Sequence, residues 1–280
     1  MNDIRDTIFK GIFDRKIIAS ITAEKGGCLS GIVEAEKAAL EIGIEIGFYK
    51  NEGDELNPGD KIAWVSGSPK QITVAEDRII GCMSKFSGIA TASRRAVRLA
   101  DGRVRIVSGS LKKMPNEIKG SIRKAIATGG ADVRISRTPM VYLDKNYIRM
   151  LGSIKDALKS VDELDNLVKV IQIKGKDKSV VEETLEAIEG GCNLLMVDSG
   201  NIDDLEECLK TLESTGKGGE VKVAFSGGIK IDDIPELCSY KIEALCIGKE
   251  IVDALLLDMK LDVSIDMKGE GNGNKPTGKN

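Results

Sequence analysis

The feature that most constrains this chain is the alternation that begins after Asp101. Short apolar runs recur at Val104–Val107, Val141–Leu143, Val168–Ile173, Leu194–Val197, Val221–Phe225 and Ala244–Ile247. Between them lie stretches with helical periodicity, at 117–127, 153–163, 179–189, 202–214 and 231–238. A strand joined to the next strand through a helix pairs with it in parallel, because only a long crossover returns the chain to the same end of the sheet. About six such units suffice for a closed or nearly closed (β/α) barrel. A doubly wound open sheet is the other architecture with this alternation, but no G-x-G-x-x-G follows the first strand, as its dinucleotide-binding form requires.

The first hundred residues have a different texture. Residues 1–13 read as a short amphipathic helix. From Ile17 to Lys70 the chain alternates apolar and polar residues between turn signals, Glu52-Gly53-Asp54 and Pro58-Gly59-Asp60 among them. The segment 74–100 is helical, with Ile79, Ile80, Met83 and Phe86 on one stripe. The expected organisation is therefore an N-terminal α/β open sandwich over 1–100 and a barrel over 101–267. The tail 268–280, "KGEGNGNKPTGKN", is rich in Gly, Asn and Lys, holds nothing to bury, and is expected to be disordered.

Composition matters mainly for what it excludes. The chain of 280 residues has no histidine and a formal net charge of -3. Without imidazole there is no Ser-His or Cys-His nucleophile pair, so chemistry must rest on Lys, Arg, carboxylates, hydroxyls, backbone amides or a metal. A charge so close to balance does not make a general nucleic-acid surface. No apolar run is long enough to span a membrane, and the N-terminus lacks a signal-peptide core. The six cysteines are widely spaced with no C-x-x-C, the pattern of buried, reduced thiols in a cytoplasmic protein.

In a parallel barrel, functional groups gather where strands end. Here those ends carry Ser108-Gly109-Ser110-Leu111-Lys112-Lys113, then Arg134 and Arg137, then Asp144-Lys145-Asn146, then Gln172, Lys174 and Lys176. The last three are Asp198-Ser199-Gly200, Ser226-Gly227-Gly228 and Gly248-Lys249. A glycine turn lets backbone amides approach a phosphate, and a following helix N-terminus adds partial positive charge. A single S-G-G is equally a tight turn with no ligand, and Asp198 alone could be a helix cap. Two glycine endings on consecutive late strands, beside a basic rim and one strand-end acid, favour a sugar phosphate.

Several stretches resemble one family in order from about residue 16 to 255, that of quinolinate phosphoribosyltransferase (nicotinate-nucleotide pyrophosphorylase). They are "EGDELNPGDKIAWVSGSPKQITVAEDRIIGCMSKFSGIAT", "KNYI…GSIKDAL", "GCNLLMVDSG" and "VKVAFSGGI". The resemblance implies use of phosphoribosyl pyrophosphate with Mg2+, and transfer to quinolinate with loss of carbon dioxide, as in NAD biosynthesis. It implies that Ser226, Gly227, Gly228 and Gly248 hold the ribose 5′-phosphate. Asp198 falls on the acid near the ribose hydroxyls and metal, and Lys112 on a catalytic lysine. Lys119 and Arg134 fall on substrate-binding positions, and Lys145 does so with a one-residue slip. Arg78 falls where an arginine reaches a neighbouring subunit's site, which implies a homodimer.

The motifs also depart from the family. Leu111 replaces an arginine and Val133 a histidine. Asp144 stands where a lysine is usual, with Lys145 next to it, and Tyr147 replaces a histidine. Gln172 or Lys174 replaces a strand glutamate. These are chiefly the groups that clamp quinolinate's carboxylates, and a lysine does not reproduce a bidentate guanidinium. Three readings follow: transfer to quinolinate, transfer to a related nitrogen heterocycle with fewer carboxylates, or a catalytically silent homologue that binds a sugar phosphate or nucleotide in a regulatory or molybdenum-transport role.

Overall fold

A computed structural model describes residues 3–109 and 111–264; the expected tail at 268–280 lies outside them. In chain order the elements are α1 (Ile4–Ile8), β1 (Ile17–Ala23), β2 (Gly27–Cys28), α2 (Ile32–Ile42), β3 (Glu45–Phe48), β4 (Glu55–Leu56), β5 (Lys61–Gly67), α3 (Pro69–Ala75) and α4 (Gly81–Ala100). A π-helical turn, Glu76–Ile80, joins α3 to α4. The alternating region follows as β6 (Arg105–Val107), α5 (Asn116–Thr128), β7 (Met140–Leu143), α6 (Lys145–Leu151), α7 (Ile154–Lys159), β8 (Val168–Ile173), α8 (Val180–Glu189), β9 (Leu194–Asp198), α9 (Ile202–Ser214), β10 (Lys222–Ser226), α10 (Ile234–Leu237), β11 (Ala244–Cys246), α11 (Lys249–Val252) and β12 (Met259–Val263). All six expected barrel strands are present, each within two residues of the apolar run that marks it.

Residues 3–91, 120–129 and 254–264 form one compact unit, and residues 92–119 and 130–253 another. The first is built on an antiparallel sheet of order β12-β1-β5-β3. Its core draws on Ile21, Leu29, Ile62, Val65, Ile79 and Met83, from strands and helices alike. The helix α3 starts where local chemistry dictates: Ser68 caps it, Gln71 bonds back to complete a capping box, and Pro69 opens the first turn. Glu52, read from sequence only as part of a turn, takes the backbone N–H of Gly31 at 3.2 Å and of Ile32 at 3.1 Å and so supports the start of α2.

Two differences from the sequence reading have simple causes. The barrel was expected to run to residue 267, yet β12 pairs antiparallel with β1, Ala19 opposite Val263, so residues 254–264 group with the first unit. No helix follows β12 among the described residues, and it completes no β-α unit. The N-terminal helix is only Ile4–Ile8 and buries none of its residues; Ile4 and Ile8 are both exposed, so amphipathic spacing there has no core to serve.

The second unit holds a parallel six-stranded sheet of order β6-β11-β10-β9-β8-β7. The segment around Asp132 adds one parallel bridge to Val107 at the β6 edge. One apolar cluster takes Val107, Met140, Tyr142, Val170, Met196 and Ala224, alternate residues drawn from both edge strands and the strands between them. A sheet whose two edges share one interior is curled into an incomplete barrel. The barrel expectation therefore holds over the open sheet. Residues between the inward ones, such as Ile171, Leu195, Val197 and Phe225, are fully buried as well, as in a parallel sheet covered on both faces. Among the described residues no helix is long and apolar enough to cross a membrane.

Candidate functional site

Because every neighbouring pair in the barrel sheet is parallel, all six strands finish at the same end. Register then decides which residues meet. Ser226 lies opposite Asp198 on the adjacent strand, so the S-G-G turn and the D-S-G turn leave the sheet side by side. They touch: Gly200 N–H donates to Ser226 O at 2.9 Å. A Cβ on Gly200 would come 1.9 Å from Gly227 O, and one on Gly227 would come 2.2 Å from Gly200 N. Both residues also have positive φ, +73° and +118°, a region that side chains avoid. Glycine at 200 and 227 is thus required by the chain's own backbone.

Gly248 is different. Its φ is −90°, and beyond its chain neighbours no atom of the described residues lies within 4 Å of where its Cβ would be. Internal packing gives no reason for a glycine there, whereas close approach of a ligand to the backbone would. The helices after these two turns, α10 and α11, have four residues each. The expected helix-end charge is correspondingly small, so an anion at these turns would meet backbone amides rather than a strong helix-end field.

The other strand ends form a connected polar network. Asp144 caps α6, accepting from Asn146 N at 2.9 Å and Tyr147 N at 3.4 Å, and pairs with Lys112 Nζ at 2.7 Å. The Lys112 ammonium beside it, with those backbone amides, holds the Asp144 carboxyl below the usual carboxylate range against the opposing effect of burial. Next to it, Gln172 is buried, accepts from Lys145 N at 2.8 Å and donates from Nε2 to Asp198 Oδ2 at 2.6 Å. The N–H of Lys145 can only donate, so the amide's orientation is fixed. Lys174 Nζ lies 3.1 Å from the same Asp198 oxygen and also bonds the Asp198 carbonyl.

Burial pushes the Tyr142 hydroxyl well above its usual range, and the nearby Asp198 charge adds to this. It likewise pushes the Cys246 thiol up to about 12. Both side chains stay neutral at physiological pH and form wall rather than acid–base machinery.

Of the residues singled out from sequence, Lys112, Asp198, Ser226, Gly227 and Gly248 lie at this end of the barrel, joined by Lys145 through its backbone. Gly228 follows with φ +85°. Arg134 is exposed on the segment that packs beside Gly109, whose Cβ would meet Val133 O at 2.7 Å. Lys119 bonds Asn116 Oδ1 at 2.8 Å within α5. Arg78 belongs to the first unit and pairs there with Glu41 at 3.5 Å. Leu111 is buried. The sequence reading missed Glu183, a buried carboxylate that accepts from Lys174 N at 2.7 Å and Gly175 N at 3.0 Å. Its only sequence signal is its place after the capping box of Ser179 and Glu182.

The residues present do not fit a resident divalent cation at Asp198. Among the described residues no three His, Cys, Asp or Glu side chains group as ligands. The one strand-end acid expected to bind metal already has an ammonium and an amide N–H on Oδ2. Hard cations are held by several oxygens, with Mg2+ keeping much of its water or substrate phosphate.

A separate cavity of about 470 Å³ opens at the opposite end of the strands, lined by Arg105, Arg137, Asn193, Lys222 and Glu243 among others. Glu243 pairs with both basic neighbours in the lining, Arg105 at 3.4 Å and Lys222 at 3.2 Å. Such pairing at strand starts serves stability.

Two family models match the chain: "Quinolinate phosphoribosyl transferase, N-terminal domain" over residues 3–87 and "Quinolinate phosphoribosyl transferase, C-terminal domain" over 89–262. The chain is 26% identical over 264 residues to the probable nicotinate-nucleotide pyrophosphorylase (carboxylating) of Methanothermobacter thermautotrophicus, covering 92% of this chain and 93% of the other. It is 26% identical over 246 residues to the nicotinate-nucleotide pyrophosphorylase (carboxylating) of Rattus norvegicus, covering 87% and 80%. Its fold is shared with the crystal structure of nicotinate-nucleotide pyrophosphorylase from Ehrlichia chaffeensis, with a TM-score of 0.80 at 18% identity over 94% of this chain and 92% of that one.

Proposed function

The chain belongs to the quinolinate phosphoribosyl transferase family, and on that premise we propose that it transfers a phosphoribosyl group from phosphoribosyl pyrophosphate to quinolinate or a closely related pyridine. The observation that carries this reading is the strand-end pairing of the two glycine turns with Asp198 in a chain that matches both family domains. In the reaction, the ring nitrogen forms a bond to ribose C1 as the C1–O bond to pyrophosphate breaks, and the bonding electron pair leaves with pyrophosphate. For quinolinate, the C–C bond to the carboxyl beside that nitrogen then breaks. Its electron pair takes up a proton, and carbon dioxide and nicotinate mononucleotide result.

The residues have distinct roles in this reading. The amides of Ser226, Gly227 and Gly228, with Gly248, bind the ribose 5′-phosphate. Asp198 sets negative charge against the cation that develops on the ribose ring, while Lys112, Arg134 and Lys145 oppose the charge building on pyrophosphate. None of these steps requires a histidine. Mg2+ belongs to the reading as a companion of the donor's diphosphate, not as an ion held by this chain.

The acceptor side favours a variation on the theme. Leu111 is buried and Asp144 is committed to Lys112, so two positions associated with carboxylate clamping carry no available cation. A pyridine or azole with fewer carboxylates is the acceptor these groups suit better. Arg78, exposed on the first unit, supports a homodimer in which it completes the neighbour's site. The test is incubation with phosphoribosyl pyrophosphate and a panel of quinolinate, nicotinate and other pyridines and azoles, with products identified by mass spectrometry. A nucleotide formed from one acceptor is expected. Donor bound but no acceptor converted would sink the transferase reading.

A further inference from the structure

We infer that Lys174 serves as a built-in cation at Asp198, so that this protein binds its diphosphate-bearing sugar donor without needing a divalent ion. The inference rests on the proposed donor chemistry. Three observations on the chain itself carry it.

The first is the position of the charge. Lys174 Nζ lies 3.1 Å from Asp198 Oδ2 and also donates to the Asp198 carbonyl oxygen. Carboxylate and carbonyl of one residue, both turned to one cation, form the kind of all-oxygen pair that a hard metal ion seeks. An ammonium fills it instead.

The second is that the placement is constrained. The Lys174 backbone N–H is held by Glu183 at 2.7 Å, and the next N–H, of Gly175, by the same oxygen at 3.0 Å. Glu183 is buried on α8. Both charged side chains are sheltered, with exposures of 24% for Lys174 and 25% for Asp198, so solvent screens their attraction less than at an open surface.

The third is Gln172. Its amide spends its oxygen on Lys145 N and its nitrogen on Asp198 Oδ2. A neutral donor thus stands beside the strand-end acid. One carboxylate with a fixed ammonium has little left for a doubly charged ion, whereas an ammonium with donors to spare can itself bond a diphosphate oxygen.

The experiment measures binding of phosphoribosyl pyrophosphate by calorimetry, once with excess chelator and once with millimolar magnesium. Wild type, Lys174→Met and Lys174→Arg are compared, each checked for folding by circular dichroism. Wild type is expected to bind about equally in both buffers. Lys174→Met loses one charge-assisted bond, so its metal-free affinity falls about tenfold or more, and magnesium restores part of it. Lys174→Arg, which keeps the charge, stays insensitive to chelator. Wild type that binds only with magnesium overturns the inference and leaves the transferase reading standing. Wild type that binds in neither buffer overturns the donor assignment and this inference with it. The two wild-type arms decide the matter even if Lys174→Met does not fold.

Discussion

The two adjacent glycines at the end of β10 make the sharpest test of the phosphate cradle, because one substitution should be much worse than the other. At Gly227 an added Cβ would sit 2.2 Å from Gly200 N and 2.6 Å from Ser199 C. Ordinary contact between such atoms begins near 3.5 Å, so one turn must retreat by about 1 Å. A displacement of that size at a positioned group costs up to about a hundredfold, or roughly 2.7 kcal/mol. At Gly228 no atom lies within 4 Å of the Cβ. Only the left-handed backbone, φ +85°, penalises alanine there, by about 1 to 2 kcal/mol. Gly227→Ala should therefore weaken donor binding about a hundredfold and Gly228→Ala about tenfold, read by titration calorimetry. Thermal melts would report any loss of fold alongside. Wild-type donor affinity in a folded Gly227→Ala would refute the cradle, since the turn cannot keep its place with that methyl present.

Other expectations follow from the network beyond the cradle. Asp144→Ala removes a helix cap and the partner of Lys112, and should cost about 1 to 2 kcal/mol in urea unfolding at neutral pH. The folded-state pKa of Asp144 is lowered, so its contribution is present above the unfolded value near 4 and is lost as pH falls through the folded one. The gap between wild type and this variant should close in acid; an unchanged gap at pH 2 would contradict the pairing. Gln172→Glu places a second carboxylate 2.6 Å from Asp198, where two like charges resist joint ionisation. Mn2+ binding followed by electron paramagnetic resonance should rise in that variant relative to wild type. Leu111→Arg buries a guanidinium at a site 4% exposed and should destabilise by about 2 kcal/mol or more without raising use of quinolinate; improved turnover would show that Leu111 does face the acceptor. Cys192 and Cys246, with thiols raised to about 12, should resist alkylation at pH 8 until the protein unfolds.

The barrel was legible because its strands are buried on both faces. A run such as "LLMVD" at β9 or "VKVIQI" at β8 reads as strand whatever packs around it. Glycine turns at 200 and 227 were visible too, although their physical cause was not. Sequence suggested room for a ligand at both glycine endings. In the fold Gly227 is required by Gly200, while Gly228 and Gly248 have open space beside them. The pairing of β12 with β1 is not legible in the sequence, because it spans more than 230 residues of chain and no local pattern encodes a partner so distant. The rewired charges were the least legible part. Asp144, Gln172 and Lys174 looked like losses when compared motif by motif. Their contacts show instead that each is engaged, Asp144 with Lys112, and Gln172 and Lys174 with Asp198. Spacing in a sequence tells which residues reach the rim, not which of them neutralise one another.

Phosphorus NMR of phosphoribosyl pyrophosphate incubated with the protein and a pyridine acceptor bears most directly on the central claim. The account predicts that the donor's diphosphate signals give way to free pyrophosphate only when the acceptor is present, and that Asp198→Ala loses this conversion while remaining folded. Donor signals that persist with every acceptor, or conversion that survives in Asp198→Ala, would contradict it.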